Sequence, residues 1–355
     1  MTKTKKPKGK ITLIIILALL VLLTGGFAMG YRYYLNQLKP VDARDEQIAF
    51  TVEENSTMNA IIEKLYDEGL IRNKDMARLY VKLNRKNNFY AGNFILNRNM
   101  SFEQIIDTIS DMSKASRDQV SVTIAPGYWA KDAARVIAAA TNLTEEEILN
   151  KWNDNAYLDE LISRYDVLTD EIFASERCYL EGYIYPETYQ FYANTTVEQV
   201  TEKILDQTES IYEKYAADIK KSEYSTHEIF TLASVILFEA KTEEDMKNVA
   251  GVMYNRFAAG MKMQTSATVC YALYNYNSWE ECETHANIDS RYNTYKYPGL
   301  PIGPICNPTE TAIKAAIYPA DNDYYYFVAD LATGRTIFAR TYDEHLKNIK
   351  KYLGY

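Results

Sequence analysis

Residues 225–240 read STHEIFTLASVILFEA, and this stretch decides the fold. Ser225, with Glu228 three residues on, makes a capping box and predicts a helix from Thr226 to about Ala240. Ile229, Phe230, Leu232, Ala233, Val235, Ile236, Leu237 and Phe238 put apolar side chains on nearly every face of it. A helix with no polar face has to be buried. The expectation is an α+β protein whose larger domain is mainly helical.

Glu239 is the only acid of that helix after Glu228, and it falls in the last turn. An apolar surround disfavours a carboxylate, and so does the negative end of the helix dipole. Both predict a raised pKa. A carboxylic acid still protonated near neutral pH is what a general acid requires. The competing structural reading is a carboxylate paired with Lys241 or Arg256.

Working outward, Thr242 with Asp245 caps a second helix, with Met246, Val249, Ala250, Met253 and Phe257 as its core stripe and Gly260 as its end. Asn255 and Arg256 near that end are either cleft residues beside Glu239 or caps and a surface pair. LEGYIYPETY at 180–189 carries Glu181, either a cleft acid or a turn cap. YNTY at 292–295 leads into a loop stiffened by Pro298, Pro301, Pro304 and Pro308. Rigid loops over a scaffold are where binding groups usually sit. The 31 tyrosines cluster at 179–192, 271–276 and 292–297; their rings can pack on sugar C–H faces and their hydroxyls bond sugar hydroxyls, although most serve as ordinary core or surface residues.

Two domains are expected, 46–112 and 118–355. The first is a small α+β unit. It has a strand at 48–52 and a helix capped by Ser56 or Thr57, carrying Ile61, Ile62 and Leu65 and stopped by Gly69. A helix with Met76, Leu79, Tyr80 and Leu83 in its stripe follows, then a strand at 89–96 and a capping box from Ser101 to Gln104 before Ile105, Ile106 and Ile109. Residues 113–119 read as a linker. The second domain opens with a strand at 120–124, a Pro126-Gly127 turn and a helix at 130–140. From 142 it is mainly helical, interrupted by an aromatic loop and the Pro-rich loop. A hairpin of 324–329 with 336–338 about Gly334 and a helix at 342–352 close the chain.

The chain has 355 residues, 47% hydrophobic and 25% charged, the composition of folded protein. Residues 1–30 hold five lysines and no acid; the rest carries 34 basic against 48 acidic side chains, a net of −14. So acidic a body excludes nucleic acid as a partner, since phosphate neutralisation supplies most of that affinity. Residues 11–30 contain no charge and at about 1.5 Å per residue span a bilayer core as one transmembrane helix. The run is longer than a signal-peptide core, no A-x-A site follows, and Tyr31, Tyr33 and Tyr34 suit an interfacial belt. The lysines keep residues 1–10 as a cytoplasmic tail. The body then lies outside, on a single-pass cell-membrane protein. Cys178, Cys270, Cys282 and Cys306 sit in that body. Four cysteines allow three pairings; Cys270 and Cys282 enclose the shortest loop, and unpaired buried thiols are the alternative. Three histidines and a lone Cys282-x-x-His285 do not make a zinc site, and no metal or other cofactor is expected.

SVILFEA with NRF and MQT, YNTY with GLPIGPICNP, LEGYIYPETY and YYYFVAD together resemble the YceG-like family of endolytic murein transglycosylases over about 46–353. The resemblance implies an anchor, a LysM-like subdomain at 46–112 and a catalytic domain at 118–355. It also implies Glu239 as the catalytic acid, where the family helix usually reads S-I-V-E-K-E. The earlier acid of that motif is Leu237 here. The family's Q-T-D-P-T reads Gln264-Thr265-Ser266-Ala267-Thr268, and its I-P-E-G turn reads Ile124-Ala125-Pro126-Gly127. By the same resemblance Glu181, Asn255, Gln264, Thr265, Tyr292, Asn293 and Tyr295 are expected around the glycan. The implied reaction is cleavage between MurNAc and GlcNAc in nascent peptidoglycan strands with 1,6-anhydro ends as product. The implied partners are those strands, the membrane and a peptidoglycan synthase. A glycan-binding scaffold without catalysis, or a hydrolytic muramidase using a second carboxylate such as Glu181, are the alternatives.

Overall fold

The structure, a computed structural model, describes residues 8–86, 88–115, 119–330 and 333–354, and of 8–16 and 18 the backbone alone. It is a mixed α+β protein that divides into two compact units, residues 1–118 with 194–196, and residues 119–193 with 197–355. Residues 116–118 of the expected linker and 1–7 of the expected tail lie outside the described residues.

The first unit comprises α1 (Lys8–Gln37), β1 (Gln47–Val52), α2 (Met58–Asp67), α3 (Lys74–Asn84), β2 (Gly92–Asn97) and α4 (Phe102–Ile109). β1 and β2 pair antiparallel with Phe50 opposite Phe94. Both rings are fully buried against Ile62 and Leu65 of α2 and Ile105 and Ile106 of α4. Thr57 accepts from the Ala60 N–H as the α2 cap, and Gly69 follows with φ +66°. The capping box of Ser101 and Gln104 is present.

Two expectations in this unit need correction. α3 buries Ala77, Tyr80 and Val81, while Leu79 and Leu83 are exposed. Tyr80 sets the rotation by meeting Phe102 edge-on at 5.4 Å, which turns the two leucines outward. β2 begins at Gly92, not at residue 89, because the Tyr90 N–H bonds to the Ile109 carbonyl instead of entering the ladder.

α1 is continuous through the uncharged run 11–30. Among the described residues, however, no helix is long and apolar enough to cross a membrane. The expected transmembrane helix is therefore not carried by the structure.

The second unit comprises β3 (Gln119–Thr123), α5 (Ala130–Ala140), α6 (Glu145–Lys151), α7 (Asn155–Arg164), β4 (Thr188–Tyr192), α8 (Val197–Ile219), α9 (Thr226–Glu239), α10 (Glu243–Ala258), α11 (Ser266–Leu273), α12 (Trp279–Thr284), α13 (Glu310–Ile317), β5 (Tyr326–Ala329), β6 (Thr336–Ala339) and α14 (Tyr342–Tyr352). β3 and β4 pair antiparallel, as do β5 and β6. The aromatic segment expected as loop thus contributes strand β4, with Tyr189 and Phe191 inward and Thr188 and Gln190 outward. β5 starts at Tyr326, later than expected, because the Tyr324 and Tyr325 carbonyls accept from Asn255 and Arg256.

α9 lies at the centre of this unit's core, capped by the box of Ser225 and Glu228. Ile229, Phe230, Leu232, Ala233, Val235 and Ile236 are at most 1% exposed. The Pro-rich loop is tied along it: the Ser234 hydroxyl accepts from the Ile305 N–H at 3.0 Å, and the Cys306 thiol donates to the Ser234 carbonyl. Near the start of α9, His227 Nε2 lies 3.2 Å from the Ile302 carbonyl, which can only accept, so Nε2 carries the proton. Nδ1 then accepts from the Tyr183 hydroxyl at 2.9 Å. That arrangement needs a neutral ring, and burial pushes the His227 pKa down accordingly.

Gly182 holds φ +89°, and a Cβ added there would lie 2.3 Å from Cβ of Pro304. Gly182→Ala should therefore lower the unfolding free energy by at least about 2 kcal/mol, combining left-handed strain with overpacking. Urea titration of the two proteins checks this, and equal midpoints would refute the close approach.

Candidate active site

Glu239 is the last residue of α9 and is partly exposed. Among the described residues its carboxyl has neither a hydrogen-bond nor an ion-pair partner. Lys241 is exposed and does not pair with it. Arg256, on the last turn of α10, is buried with its guanidinium spent on the Tyr325 carbonyl at 2.7 Å and on the Met263 carbonyl. It acts on Glu239 through its field only. Burial pushes the Glu239 pKa up to about 7, against the opposing pull of Arg256. The helix therefore ends in a partly exposed acid that is half protonated near neutrality.

Glu181 is a different carboxyl. It is buried, both its oxygens lie 3.0 Å from the Ala130 N–H at the start of α5, and Tyr271 donates to Oε2 at 2.9 Å. Burial raises it to about 8 despite those donors, which favour the ionised form. It caps α5.

The other expected residues fall into two groups. Asn255, Tyr292 and Asn293 are engaged within the protein. Asn255 Nδ2 donates to the carbonyls of Asn322 and Tyr324. The Tyr292 hydroxyl is 2.8 Å from Ser175 Oγ, and its ring meets Tyr271 edge-on at 4.7 Å. Asn293 is fully buried, donates to the carbonyls of Ala286 and Ile288, and accepts from the Tyr295 N–H.

Gln264, Thr265 and Tyr295 are less committed. Gln264 is exposed at φ +56°, directly after the Met263 carbonyl that Arg256 holds. Among the described residues the buried Thr265 hydroxyl has no partner, although its N–H donates to Thr294 Oγ1. Tyr295 is half-buried against the Cys270–Cys282 disulfide, the one pairing formed among the four cysteines; Cys178 and Cys306 are free and buried. Among the described residues no three His, Cys, Asp or Glu side chains gather as metal ligands.

Sequence reasoning gave no role to Asn307, which stands in the motif GLPIGPICNP and is fully buried. Its Oδ1 accepts from the Gly182 and Ile184 N–H groups at 3.0 and 2.9 Å, and its Nδ2 donates to the Tyr128 carbonyl. No local signal marks it, because its partners lie more than a hundred residues away.

Among the described residues, clefts open at two places on this unit. One of about 550 Å³ is lined by Gly127, Trp129, Lys131, Asp132, Phe238 and residues 274–277. The other, of about 500 Å³, lies between the first turns of α9 and the Pro-rich loop at 298–302. Glu239 lines neither. Phe238 borders the first, whereas His227 in the second is about 18 Å from Glu239 along the helix axis.

Residues 50–351 match the YceG-like family. The chain is 31% identical to the endolytic murein transglycosylase of Bacillus subtilis strain 168 over 339 residues, 94% of this chain and 91% of that protein. It is 30% identical to the endolytic murein transglycosylase of Streptococcus pneumoniae strain D39 over 363 residues, 97% of this chain, and spans 65% of that longer relative. The crystal structure of a putative YceG-like protein from Listeria monocytogenes superposes with a TM-score of 0.59 at 32% identity, covering 86% of this chain and 99% of that one.

Glu181 and Glu239 titrate higher in the folded protein than the roughly 4.3 of an unfolded glutamate. Groups shifted this way contribute stability in full below the unfolded value, and it is lost as pH rises through the folded one. Unfolding free energy should fall between about pH 4 and about pH 8, and Glu181→Gln should flatten the upper part of that slope. Urea unfolding at pH 5, 6, 7 and 8 measures it; parallel profiles would mean that Glu181 ionises at its ordinary value.

Proposed function

The chain belongs to the YceG-like family, and from that premise we propose that it is a membrane-anchored lytic transglycosylase cleaving peptidoglycan strands internally, between MurNAc and GlcNAc. The observation that carries this reading is Glu239, an unpartnered carboxyl at the end of a buried helix, raised to about 7. In its protonated form it gives its proton to the glycosidic oxygen as the bond from the anomeric carbon breaks. The carboxylate then takes the proton of the muramic 6-hydroxyl as that oxygen bonds to the same carbon. Glu239 returns protonated, no water is consumed, and the new end is a 1,6-anhydro sugar. One acid suffices for both steps, so Glu181 is free to serve as a cap.

In this reading Gln264, Thr265 and Tyr295 contact the glycan, while Asn255, Tyr292 and Asn293 hold the walls that orient it. Residues 46–112 form a LysM-like unit and residues 118–355 the catalytic domain. The uncharged run 11–30 anchors the chain with residues 1–10 inside, because its length matches a bilayer core and the lysines precede it. The strands being made at the membrane, and the synthase making them, are then within reach.

Glu239→Gln should keep the fold and lose cleavage of purified sacculi, since an amide neither gives nor takes the proton. Retention of a tenth of the activity, a loss of only ~1.4 kcal/mol, would remove Glu239 from the role. Mass spectrometry of the products should show ends lighter by one water than hydrolysed ends, and kcat/KM should decline above about pH 7. Protease added to spheroplasts should digest the body and leave a short protected N-terminal piece; a body protected until lysis would overturn the orientation.

A further inference from the structure

α3 turns two leucines to the outside. Leu79 is 38% and Leu83 64% exposed, and four residues apart they share one face of the helix. Leaving them in water forgoes burial that folding could have used. The same unit holds a larger apolar exposure on α1, where Leu22, Leu23, Phe27 and Met29 are 69–77% exposed. The two exposures meet: a cleft of about 450 Å³ is lined by Tyr31, Tyr34 and Leu35 of α1 together with Tyr80 and Leu83 of α3. Tyr34 and Leu38 pack against the core of this unit, and the Leu38 carbonyl accepts from the Phe102 N–H at 2.9 Å. Because α1 is one helix from Lys8 to Gln37, continuous helical backbone joins its uncharged run to that anchorage beside α3.

Cations flank the leucines. Lys82 follows Leu79 by three residues, Arg85 caps α3 just after Leu83, and Lys39 lines the cleft. All three are exposed, and among the described residues none has an ion-pair partner. The acid of the lining is Glu103. Lys86 is paired with Asp107 at 2.7 Å, and Lys74 and Arg78, towards the start of α3, with Glu63. The balance around the cleft is therefore positive. We propose that the α3 face carrying Leu79 and Leu83 docks on the anionic phospholipid surface of the bilayer that α1 enters. The leucines reach the acyl boundary, and Lys82 and Arg85 meet phosphates, the arrangement of an interfacial amphipathic helix. Tyr34 lies four residues beyond Gly30, about 6 Å along the axis, and the headgroup layer is about 5–7 Å thick on each side of a bilayer's core. Leu83, sharing a cleft with Tyr34, stands at that level. The proposal rests on the reading of residues 11–30 as an anchor, and it adds a second attachment that fixes how the first unit is held over the membrane.

The test uses the full chain with Leu83→Cys carrying an environment-sensitive fluorophore; Cys178 and Cys306 are buried and closed to the reagent. The chain is reconstituted in phosphatidylcholine vesicles with or without phosphatidylglycerol, and lipids bearing a nitroxide high on the acyl chain serve as quencher. Quenching should be strong with phosphatidylglycerol, and weaker without it or at high salt. Lys82→Gln should lower the docked-to-undocked ratio about fivefold, Lys82→Arg should keep it, and Leu79→Ser should lower it about tenfold. A fluorophore can itself seek lipid, so the unlabelled chain gives a second measurement: trypsin cleavage after Lys82 and Arg85 should be slower in the anionic vesicles. A label that stays in water, quenching indifferent to lipid charge and to Lys82→Gln, or equal cleavage in both vesicles would overturn the proposal. A chain stripped from the vesicles by an alkaline wash would overturn the anchor and this contact together, whereas a chain that stays while its label remains in water defeats this contact alone.

Discussion

The buried amide of Asn307 joins three segments that are remote in sequence. It receives the backbone of 182–184 and gives to Tyr128, while its own N–H and carbonyl pair with Tyr128 and Gly127. The Pro-Gly turn, the LEGY turn and the Pro-rich loop therefore move as one body. From that junction α5 starts, with Glu181 on its first N–H, and a Cβ added at Gly127 would lie 3.9 Å from the Leu237 and Phe238 side chains. An aliphatic side chain at 307 would orphan several buried groups at once, each costing about 1–3 kcal/mol. The end of α9 is positioned by this junction as much as by its own packing.

Two carboxyls with the same cause of pKa elevation end up with different capacities. Glu181 has its lone pairs occupied by an amide and a phenol, so a proton there serves the fold. Glu239 has no such neighbours, and the guanidinium that could have neutralised it is turned to the carbonyls of Met263 and Tyr325. Arg256 thus joins the MQT segment to β5 and moderates the acid without binding it. Burial alone does not distinguish a carboxyl tied into the fold from one left without partners; the hydrogen-bond inventory does.

Local rules made much of the architecture legible. The capping boxes at Ser101 and Ser225, the glycine stop after α2 and the hairpin about Gly334 all depend on residues within a few positions of each other. The uniform apolarity of α9 and the lone acid at its end were legible for the same reason. Where tertiary contacts decide, the reading slipped. A stripe through Leu79 and Leu83 looks as good on a helical wheel as the buried one through Ala77 and Val81, and Tyr80 against Phe102 chooses between them. Strand β4 was hidden by its tyrosines, although the alternation of Tyr189 and Phe191 with Thr188 and Gln190 was there to be seen. The amides of Asn255 and Asn293 could not be assigned from sequence, because the carbonyls they serve belong to irregular loops.

The Cys270–Cys282 bridge has a consequence for when the protein is finished. It closes a short loop, for which a constraint of this length stabilises by about 3 kcal/mol in the chain-entropy account. That bond persists only under oxidising conditions. The remaining thiols, Cys178 and Cys306, are buried with their pKa values pushed up, so neither competes for it as a thiolate. A newly made copy in a reducing compartment would carry Glu239 in place but Tyr274 and Tyr276 on an untied loop. Maturation of the cleft is then a step separate from folding of the core, taken where the surroundings are oxidising.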